Sequence, residues 1–440
     1  MRQDYSLGEN SVNPLCSGCG ACVSESQGNL KVGIDNQGFL IPVSIDGSPS
    51  DDVLKVCPFN GSPETSVGDE DVIAEKFLFD ATSYDDDIGK YTDTYVGYSV
   101  EFRKTSSSGG LATYVFEQLL KRGVVDALFI VSGSGGSYSY QFFEDFSDIK
   151  SISKTRYIPV TFDGLFEKLS SFDGRVAVSG VACFIKALRL KQHYSPDLLH
   201  KIPFSVGIIC GGLKSYGYTD YLAQSAGLVG EYHSQEYRVK DESSDALDYA
   251  FSAKDSSHRS HSIKMRSLGD MWGTGLFKAM ACDFCSDVTT ELADISLGDA
   301  WLPEYKSDGL GNSVVITRSR LADIIIKEGI EAGELLLKRV DKSVVIKSQA
   351  PSFKHRRDAL KFRISIYRLF GLESPPVRKR VLKPISLSYS LVQLARMLTR
   401  YKSNVIWQDV GSSDDFEKRM FKYKFILKIF TKIDHWARKE

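Results

Sequence analysis

RVAVSGVACFIKALRLKQHYSPDLLHKIPFSVGIICGG (175–212) carries the clearest structural pattern in the chain. RVAVSG is short, apolar and rich in valine, as a buried strand is. CFIKALRLKQHY places its apolar residues at helical spacing. FSVGIIC is apolar again and stops at Gly211-Gly212, a turn signal. Strand, helix and strand in succession make one unit of an α/β sheet. Such sheets present their ligand sites where the strands end. A cysteine stands at each of these two ends, Cys183 and Cys210.

The same alternation extends upstream. YVGYSV (95–100) reads as a strand, SSSGG (106–110) as a turn with capping residues, and LATYVFEQLLKRG (111–123) as an amphipathic helix closed by Gly123. VVDALFIVSG (124–133) is a strand and GLFEKLSSF (164–172) a helix. The expectation is an α/β core over residues 93–350. Before it, residues 1–60 hold four cysteines and a small hairpin, KVGIDNQGFLIPV (31–43). Residues 61–92 are acidic and turn-rich and read as a linker. Residues 351–440 read as a helical, basic C-terminal region: Val377 to Glu440 carries fifteen Lys/Arg against six Asp/Glu.

Of the 440 residues, 42% are hydrophobic and 25% charged, which is ordinary for a globular chain. The net charge of −1 gives no nucleic-acid signature. No apolar run approaches the roughly 20 residues of a membrane span, and MRQDYSLGEN at the start lacks the pattern of a secretory signal. The expected location is the cytoplasm, where stable disulfides are uncommon. Eight cysteines there point to metal binding or catalysis.

Cys16-x2-Cys19-x2-Cys22 is followed at a distance by Cys57-Pro58. In two-cluster bacterial ferredoxins each such triplet shares a cluster with the distant Cys-Pro of the other half. Here one set is complete. The partner set would need cysteines at Ser26, Gly47, Ser50 and Val53, and has none. The pattern predicts one retained [4Fe-4S] cluster in a ferredoxin-like segment; a zinc knuckle or packed core thiols are the competing readings. Cys183, Cys210, Cys282 and Cys285 form a second group near strand ends. Their spacing is open to a second cluster, to zinc or to buried core thiols.

Arg103-x-x-Ser106-Ser107-Ser108-Gly109-Gly110, Gly180-x-x-Cys183, Cys210-Gly211-Gly212, Cys282-x2-Cys285-x-Asp287 and ADISLGDAW (293–301) occur in this order. Together they resemble the beta subunits of coenzyme F420 (deazaflavin) hydrogenase and dehydrogenase, over Cys16 to about residue 355. The same family includes chlorophyll-modifying reductases and bacterial members associated with polysaccharide biosynthesis. The resemblance implies an iron–sulfur flavoprotein with one or two [4Fe-4S] clusters and FAD, relaying electrons between ferredoxin or another redox partner protein and an organic substrate that the sequence does not identify. It makes FAD the expected ligand of the turn at Ser106, Ser107, Ser108, Gly109 and Gly110, where glycines and helix-start N–H groups suit a pyrophosphate. Arg103 would add a charge-assisted bond there. An ordinary N-cap turn is the plainer alternative. Lys214 is a second phosphate candidate, and Asp294 and Asp299 would orient a ribose or fix a loop. No catalytic residue is singled out. Two departures stand out: one ferredoxin-like set is missing, and no proline precedes Cys183. A different class of function, an electron-transfer subunit without a substrate of its own, fits the same residues.

KRMFKYKFILKIFTKIDHW (418–436) places Phe421, Phe425, Ile426 and Ile429 on one helical face among Lys418, Arg419, Lys422, Lys424, Lys428 and Lys432. Peripheral contact with an anionic membrane, a partner, or packing on the core would each explain it.

Overall fold

Period-two alternation and β-branched runs become strands throughout the chain. The protein is described by a computed structural model that covers residues 15–46, 50–134, 137–147, 149 and 154–438. Its strands are β1 (Leu30–Ile34), β2 (Leu40–Ser44), β3 (Ser83–Asp85), β4 (Gly89–Tyr91), β5 (Asp93–Ser99), β6 (Ala127–Ser134), β7 (Ser137–Phe143), β8 (Val176–Val181), β9 (Phe204–Ile208), β10 (Tyr232–Val239), β11 (Ala250–Asp255), β12 (Ser260–Lys264), β13 (Ile295–Asp299), β14 (Ser313–Thr317) and β15 (Leu335–Arg339). Eight of them make one mixed sheet in the order β15-β5-β14-β13-β9-β8-β6-β7. Its centre, β6, β8, β9 and β13, is parallel. Antiparallel strands extend it on both sides.

Helices cover both faces. The expected helix after the SSSGG turn runs Leu111–Lys121, and with Arg320–Glu331 it buries Leu111, Val115, Leu119, Ile325 and Ile326 against one face. The helix Ala182–Tyr194, which follows β8 directly, buries Phe184, Ile185 and Leu188 against the other. That second core also contains Leu15, Cys19, Val56 and Phe59 from the N-terminal segment. The hairpin expected at 31–43 is β1 and β2. A separate three-stranded sheet, β10-β11-β12, packs with the helix Tyr216–Ser225 and with Phe416 and Met420.

Residues 61–92, expected as a linker, hold structure instead. The Asp69 carboxylate accepts the N–H groups of Asp71 and Val72 and starts a helix, Glu70–Phe77. The β3–β4 hairpin follows. Ile73, Leu78 and Ile88 from this stretch are buried. Acidic caps and turns dominated its composition, and a few well-spaced apolar residues, Val67 also among them, anchor it.

The C-terminal region is helical, as expected. Leu387–Val410 and Ser413–Ala437 form an antiparallel hairpin that reverses at Gly411, whose φ of 59° is the left-handed value glycine tolerates. This region is tied to the sheet by charge. Glu291, buried, accepts bonds from Arg357 and, at 2.6 Å each, from Arg378 and Arg380. Burial alone would raise its pKa. Arg378, Arg357, Arg380 and Arg318 outweigh that and hold it well below the usual carboxylate range.

Replacing Glu291 with Gln should cost about 3 kcal/mol or more, because three guanidinium groups lose their shared anion. The folded carboxyl titrates below its ordinary 4.5, so its contribution is present above that pH and fades as pH falls. Chemical denaturation across pH 3–7 should show the wild type losing this advantage on the acid side and the variant lacking it throughout.

Candidate functional site

Cys16, Cys19 and Cys22 lie on a loop that two left-handed glycines make possible, Gly18 at φ 71° and Gly20 at φ 74°. The Gly18 N–H points at Cys16 Sγ at 3.3 Å. Cys57 ends a short 3-10 helix, Asp51–Val56, and Pro58 turns the chain back. The four cysteines line one chamber with Pro42, Leu54 and Pro58. Burial pushes the Cys16 thiol up to about 12, with Cys19 and Cys57 adding to the shift. Of the absent partner set, Ser26 is buried and bonds within its own turn, Val53 is a core residue, and Gly47 lies outside the described residues.

The second group converges from three places in the sequence. Cys183 opens the helix after β8, Cys210 follows β9, and Cys282 sits in a 3-10 turn, Met280–Asp283, with Cys285 just beyond. Cys183 lies within electrostatic reach of Cys285, Cys282 and Cys210. Backbone N–H groups face two of the sulfurs: Gly212 to Cys210 at 3.2 Å and Leu213 to Cys282 at 3.2 Å. The glycines of Cys210-Gly211-Gly212 have a steric reason. A side chain on Gly211 would meet the Trp272 ring at 2.9 Å, and Gly212, at φ 133°, would meet Lys278 at 2.8 Å. Burial pushes the Cys282 thiol up to about 12, against the opposing pull of Lys278.

The two groups are neighbours. Cys19 is within electrostatic reach of Cys183, and both act on Tyr140. Tyr140 is enclosed by Phe129, Phe162 and Phe184, and its hydroxyl donates to the Ser179 carbonyl at 2.9 Å. The Phe162 N–H donates to the Cys19 carbonyl at 2.8 Å, joining the triplet loop to the core. Pro58 lines the first chamber and also a second one with Cys183 and Cys285.

Among the described residues, no three His, Cys, Asp or Glu side chains are drawn together for a single metal ion. Four sulfurs around one zinc ion would stand about 3.8 Å apart, given Zn–S bonds near 2.3 Å. A four-iron cube needs four thiolates spread around a larger body. Four thiols around one chamber, and a second four that converge with Cys183 and Cys285 on another, each set with N–H groups aimed at sulfur, suit that donor geometry.

Sequence reasoning missed the cation of this site. Arg356 sits in a π-helical turn, Lys354–Asp358, a distortion often found at functional sites. Buried, it donates to Cys285 Sγ at 2.6 Å and to the carbonyls of Cys210 and Asp287 at 2.7 Å each. On the other side Lys278 pairs with Asp283 at 2.8 Å, and Arg400 with the same carboxylate at 2.6 Å. The basic run KHRRD (354–358) was the available signal, but nothing in it says which arginine turns inward.

The residues expected to face FAD fall in several places. The Arg103 guanidinium stacks on Tyr98 and donates to Asp308 and to the Gly311 carbonyl. Ser106 faces Thr113, Ser107 accepts the Thr155 N–H at 2.9 Å, and Ser108 donates to the Asn312 carbonyl. The Gly109 N–H donates to Ser313 Oγ at 3.1 Å, and a side chain there would meet the Gly97 carbonyl at 2.6 Å. Gly110, at φ 81°, caps the helix. Lys240, which the sequence did not flag, reaches this loop and donates to the carbonyls of Arg103 and Ser108. Burial, with Arg238 and Arg103 nearby, lowers its pKa to about 7. Asp299 accepts both bonds of Arg238 at 2.6 Å, beside Tyr249 and Trp301. Asp294 is elsewhere, buried and bonded to Arg189 and Ser205.

Lys214 lies between these areas. Its ammonium sits over the Trp272 and Tyr218 rings and donates to the carbonyls of Met271 and Leu276; burial, reinforced by Lys278, lowers its pKa to about 7. Tyr157 meets Trp272 edge-on at 4.8 Å and is within electrostatic reach of Arg238, Asp299 and Cys210. Neighbouring side chains therefore run from Cys210 past Tyr157 and Trp272 to Arg238, and from Arg238 to Lys240 at the serine loop, as a lining of aromatic rings and cations. Buried donors with no partner occur among them and beside them: Arg156 Nε, Arg238 Nε and the Tyr218 hydroxyl. Aromatic faces at one end and cations with spare N–H groups at the other suit a flavin ring with a diphosphate.

This architecture has known counterparts. The family described as coenzyme F420 hydrogenase/dehydrogenase, beta subunit, matches in two parts: its N-terminal part over residues 94–166 and its C-terminal part over residues 173–343. The coenzyme F420 hydrogenase subunit beta of Methanosarcina barkeri is 27% identical over 290 residues, 60% of this chain and 91% of that one. Its counterpart in Methanothermobacter thermautotrophicus is 22% identical, over 55% of this chain and 82% of its own. The coenzyme F420-dependent sulfite reductase of Methanocaldococcus jannaschii is 23% identical over 54% of this chain and 38% of that enzyme. A chain of the F420-reducing [NiFe] hydrogenase complex of Methanosarcina barkeri shares the fold, with a TM-score of 0.52 at 22% identity, covering 68% of this chain and 99% of that one.

The triplet loop gives a local test. A side chain on Gly20 would run into the Thr161 hydroxyl and stand 3.0 Å from the Asp163 nitrogen. Gly20→Ala should cost about 1–2 kcal/mol for the left-handed backbone alone, plus the overlap, and lower Tm. Adding Thr161→Ala should recover the overlap part of the loss and leave the backbone part.

Proposed function

Since the chain belongs to the coenzyme F420 hydrogenase/dehydrogenase beta-subunit family, we propose that it is an oxidoreductase that relays electrons between a protein redox partner and an organic acceptor. Cys16, Cys19, Cys22 and Cys57 hold one [4Fe-4S] cluster in this reading, within a ferredoxin-like segment. Cys183, Cys210, Cys282 and Cys285 hold a second, and FAD lies along the lining from Trp272 to the serine loop. When bound, the clusters supply single-electron chemistry and the flavin supplies hydride chemistry. The observation that carries the reading is the meeting of the two cysteine groups across Tyr140, with Cys19 and Cys183 in electrostatic reach of one another. Neighbouring clusters are what a relay needs.

The chain's own residues set the conditions. N–H groups of Gly18, Gly212 and Leu213 and the Arg356 guanidinium face thiolates, and bonds to sulfur tune such clusters. Phe129, Phe162 and Phe184 keep water from the junction. Lys240, Arg238 and Arg103 supply the positive end for a diphosphate, and Trp272 and Tyr157 the flat faces for a ring. Lys214 places a donor at the ring end.

A second reading is supported by the relatives' names: two of them are beta subunits of a hydrogenase. The chain would then serve a partner enzyme and turn over no substrate alone. Turnover of candidate acceptors by the isolated chain, absent or present, separates the two.

Protein purified without oxygen should contain about eight irons per chain with acid-labile sulfide. Zinc in their place would overturn the cluster assignment. Cys16→Ser and Cys282→Ser should each remove one set and leave the other, seen by electron paramagnetic resonance after reduction. Arg356→Gln should keep both sets but move one potential downward, since a cation that favours the reduced form is gone.

Flavin should count one per chain. Lys240→Ala should lower FAD retention at least about tenfold if the cation meets the diphosphate. Gly109→Ala should lower both FAD retention and Tm, because the loop is wedged against β5 and β14. Unchanged flavin content in Lys240→Ala would move the diphosphate away from this loop.

A further inference from the structure

The C-terminal hairpin shows an apolar face that the core does not use. Phe416, Met420 and Leu427 of the last helix are buried. Phe421, Phe425, Ile426, Ile429, Ile433 and Trp436 are exposed, Trp436 by 73% and Phe421 by 67%. Packing of Phe421, Phe425 and Ile429 on the core is therefore not their role. The preceding helix adds a second stripe, invisible to a reading of the last helix alone. Leu387, Leu394, Leu398 and Tyr401 are exposed at helical spacing, Leu387 by 80%.

The two stripes lie on one side of the hairpin. The helices are joined through Val392, Ala395, Leu427 and Phe430, and Ser388 donates to Asp434 at 3.0 Å. At 100° per residue, each exposed stripe stands roughly a third of a turn or more from these joining residues, in the same rotational sense. Because the helices are antiparallel, that rotation leads to the same outward side of the hairpin. Leu394 and Leu398 thus stand on the side that Ile426, Ile429 and Ile433 occupy.

Charge identifies the occupant. From Leu387 to Gln408 there is no acidic residue, and from Lys418 to Trp436 the one acid is Asp434, which is buried. Lys422, Lys428 and Lys432 are exposed on or beside the apolar stripe. Lysines that rim an apolar helical face place their stems along it and their ammonium groups at its border. No helix among the described residues is long and apolar enough to cross a membrane. Asp409, Asp414, Asp415 and Glu417 cluster at the turn end of the hairpin, outside these two stretches. An apolar face that lies flat, with a basic rim and no exposed acid along the stripes, matches a bilayer surface with anionic headgroups.

We infer that the hairpin of residues 387–437 docks the protein in-plane on an anionic phospholipid surface, with both stripes entering the interface and Lys422, Lys428 and Lys432 at the headgroups. This rests on neither the iron–sulfur nor the flavin assignment.

The test is sedimentation of the full-length, anaerobically purified protein with vesicles. Binding is expected to vesicles of equal phosphatidylcholine and phosphatidylglycerol, to fall with added salt, and to be absent with phosphatidylcholine alone. A variant with Lys422→Glu, Lys428→Glu and Lys432→Glu should bind at least about tenfold more weakly. A variant with Phe421→Ser, Phe425→Ser and Ile429→Ser should lose binding while keeping its Tm and far-ultraviolet circular dichroism, since none of the three is buried. Equal binding to both vesicle types, no binding at all, or an unaffected lysine variant would overturn the proposal. So would a wild-type dimer in light scattering that the serine variant dissolves, because the face would then join two copies of the chain.

Discussion

Buried charge must be neutralised inside a protein, and the architecture here turns on how that is done. Glu291 draws Arg357, Arg378 and Arg380 onto one carboxylate. Arg357 and Arg380 also reach the backbone carbonyls of the β3–β4 turn. Arg318 spans from the same turn to Ser296 of β13. One anion thus fastens the segment before the core, the strand beside the second cysteine group and the chain after the core. An isolated carboxylate at this depth would cost several kcal/mol, and an isolated guanidinium as much. Neither side of the network persists without the other. The helical C-terminal region is therefore part of the body that frames the cysteines.

The cysteines face the same difficulty in another form. Burial works against thiolate, and it is the largest cause of the raised pKa at Cys16 and Cys282. N–H groups of Gly18, Gly212 and Leu213 oppose it weakly, and the Arg356 guanidinium opposes it at Cys210 with a full charge. Such thiols are poor nucleophiles when free and good ligands once a metal takes the proton's place. Arg356 is supplied by the region that Glu291 holds in position, so the electrostatics of the second cysteine group depend on the same network. Asp283 has a parallel role, with Lys278 and Arg400 around it and Cys282 beside it in the chain.

The lining toward the serine loop shows how the tertiary structure redistributes roles. Arg103 and Gly109 are engaged with the 308–313 segment, so they shape the loop. Lys240, from the second sheet, supplies a cation to that loop from outside the motif. Asp294 and Asp299 stand five residues apart yet serve different ends. One is locked to Arg189 inside the fold, and the other is paired with Arg238 at the edge of the lining.

Local pattern in the chain was enough for the strands and helices whose periodicity is set by burial on one face. The β1–β2 hairpin, β5, β6, β8, β9 and the helices after β5 and β8 were all legible, because each is short, apolar and bounded by glycine or a cap. The tight Cys16–Cys22 spacing was legible for the same local reason: three thiols within one loop must converge. Residues 61–92 misled, since caps and turns outnumbered the apolar anchors Val67, Ile73, Leu78 and Ile88. Every relation that spans the chain emerges with the folded arrangement. Cys183 and Cys285 share a chamber, and Cys19 lies beside Cys183, because the parallel strands end on one side of the sheet and the N-terminal segment packs there. Arg356, Lys240 and the apolar stripe of residues 387–401 carry no local mark that separates them from other arginines, lysines and leucines. Their roles come from the partners that the fold sets against them, and pairing across long sequence separations leaves no periodic trace in the sequence.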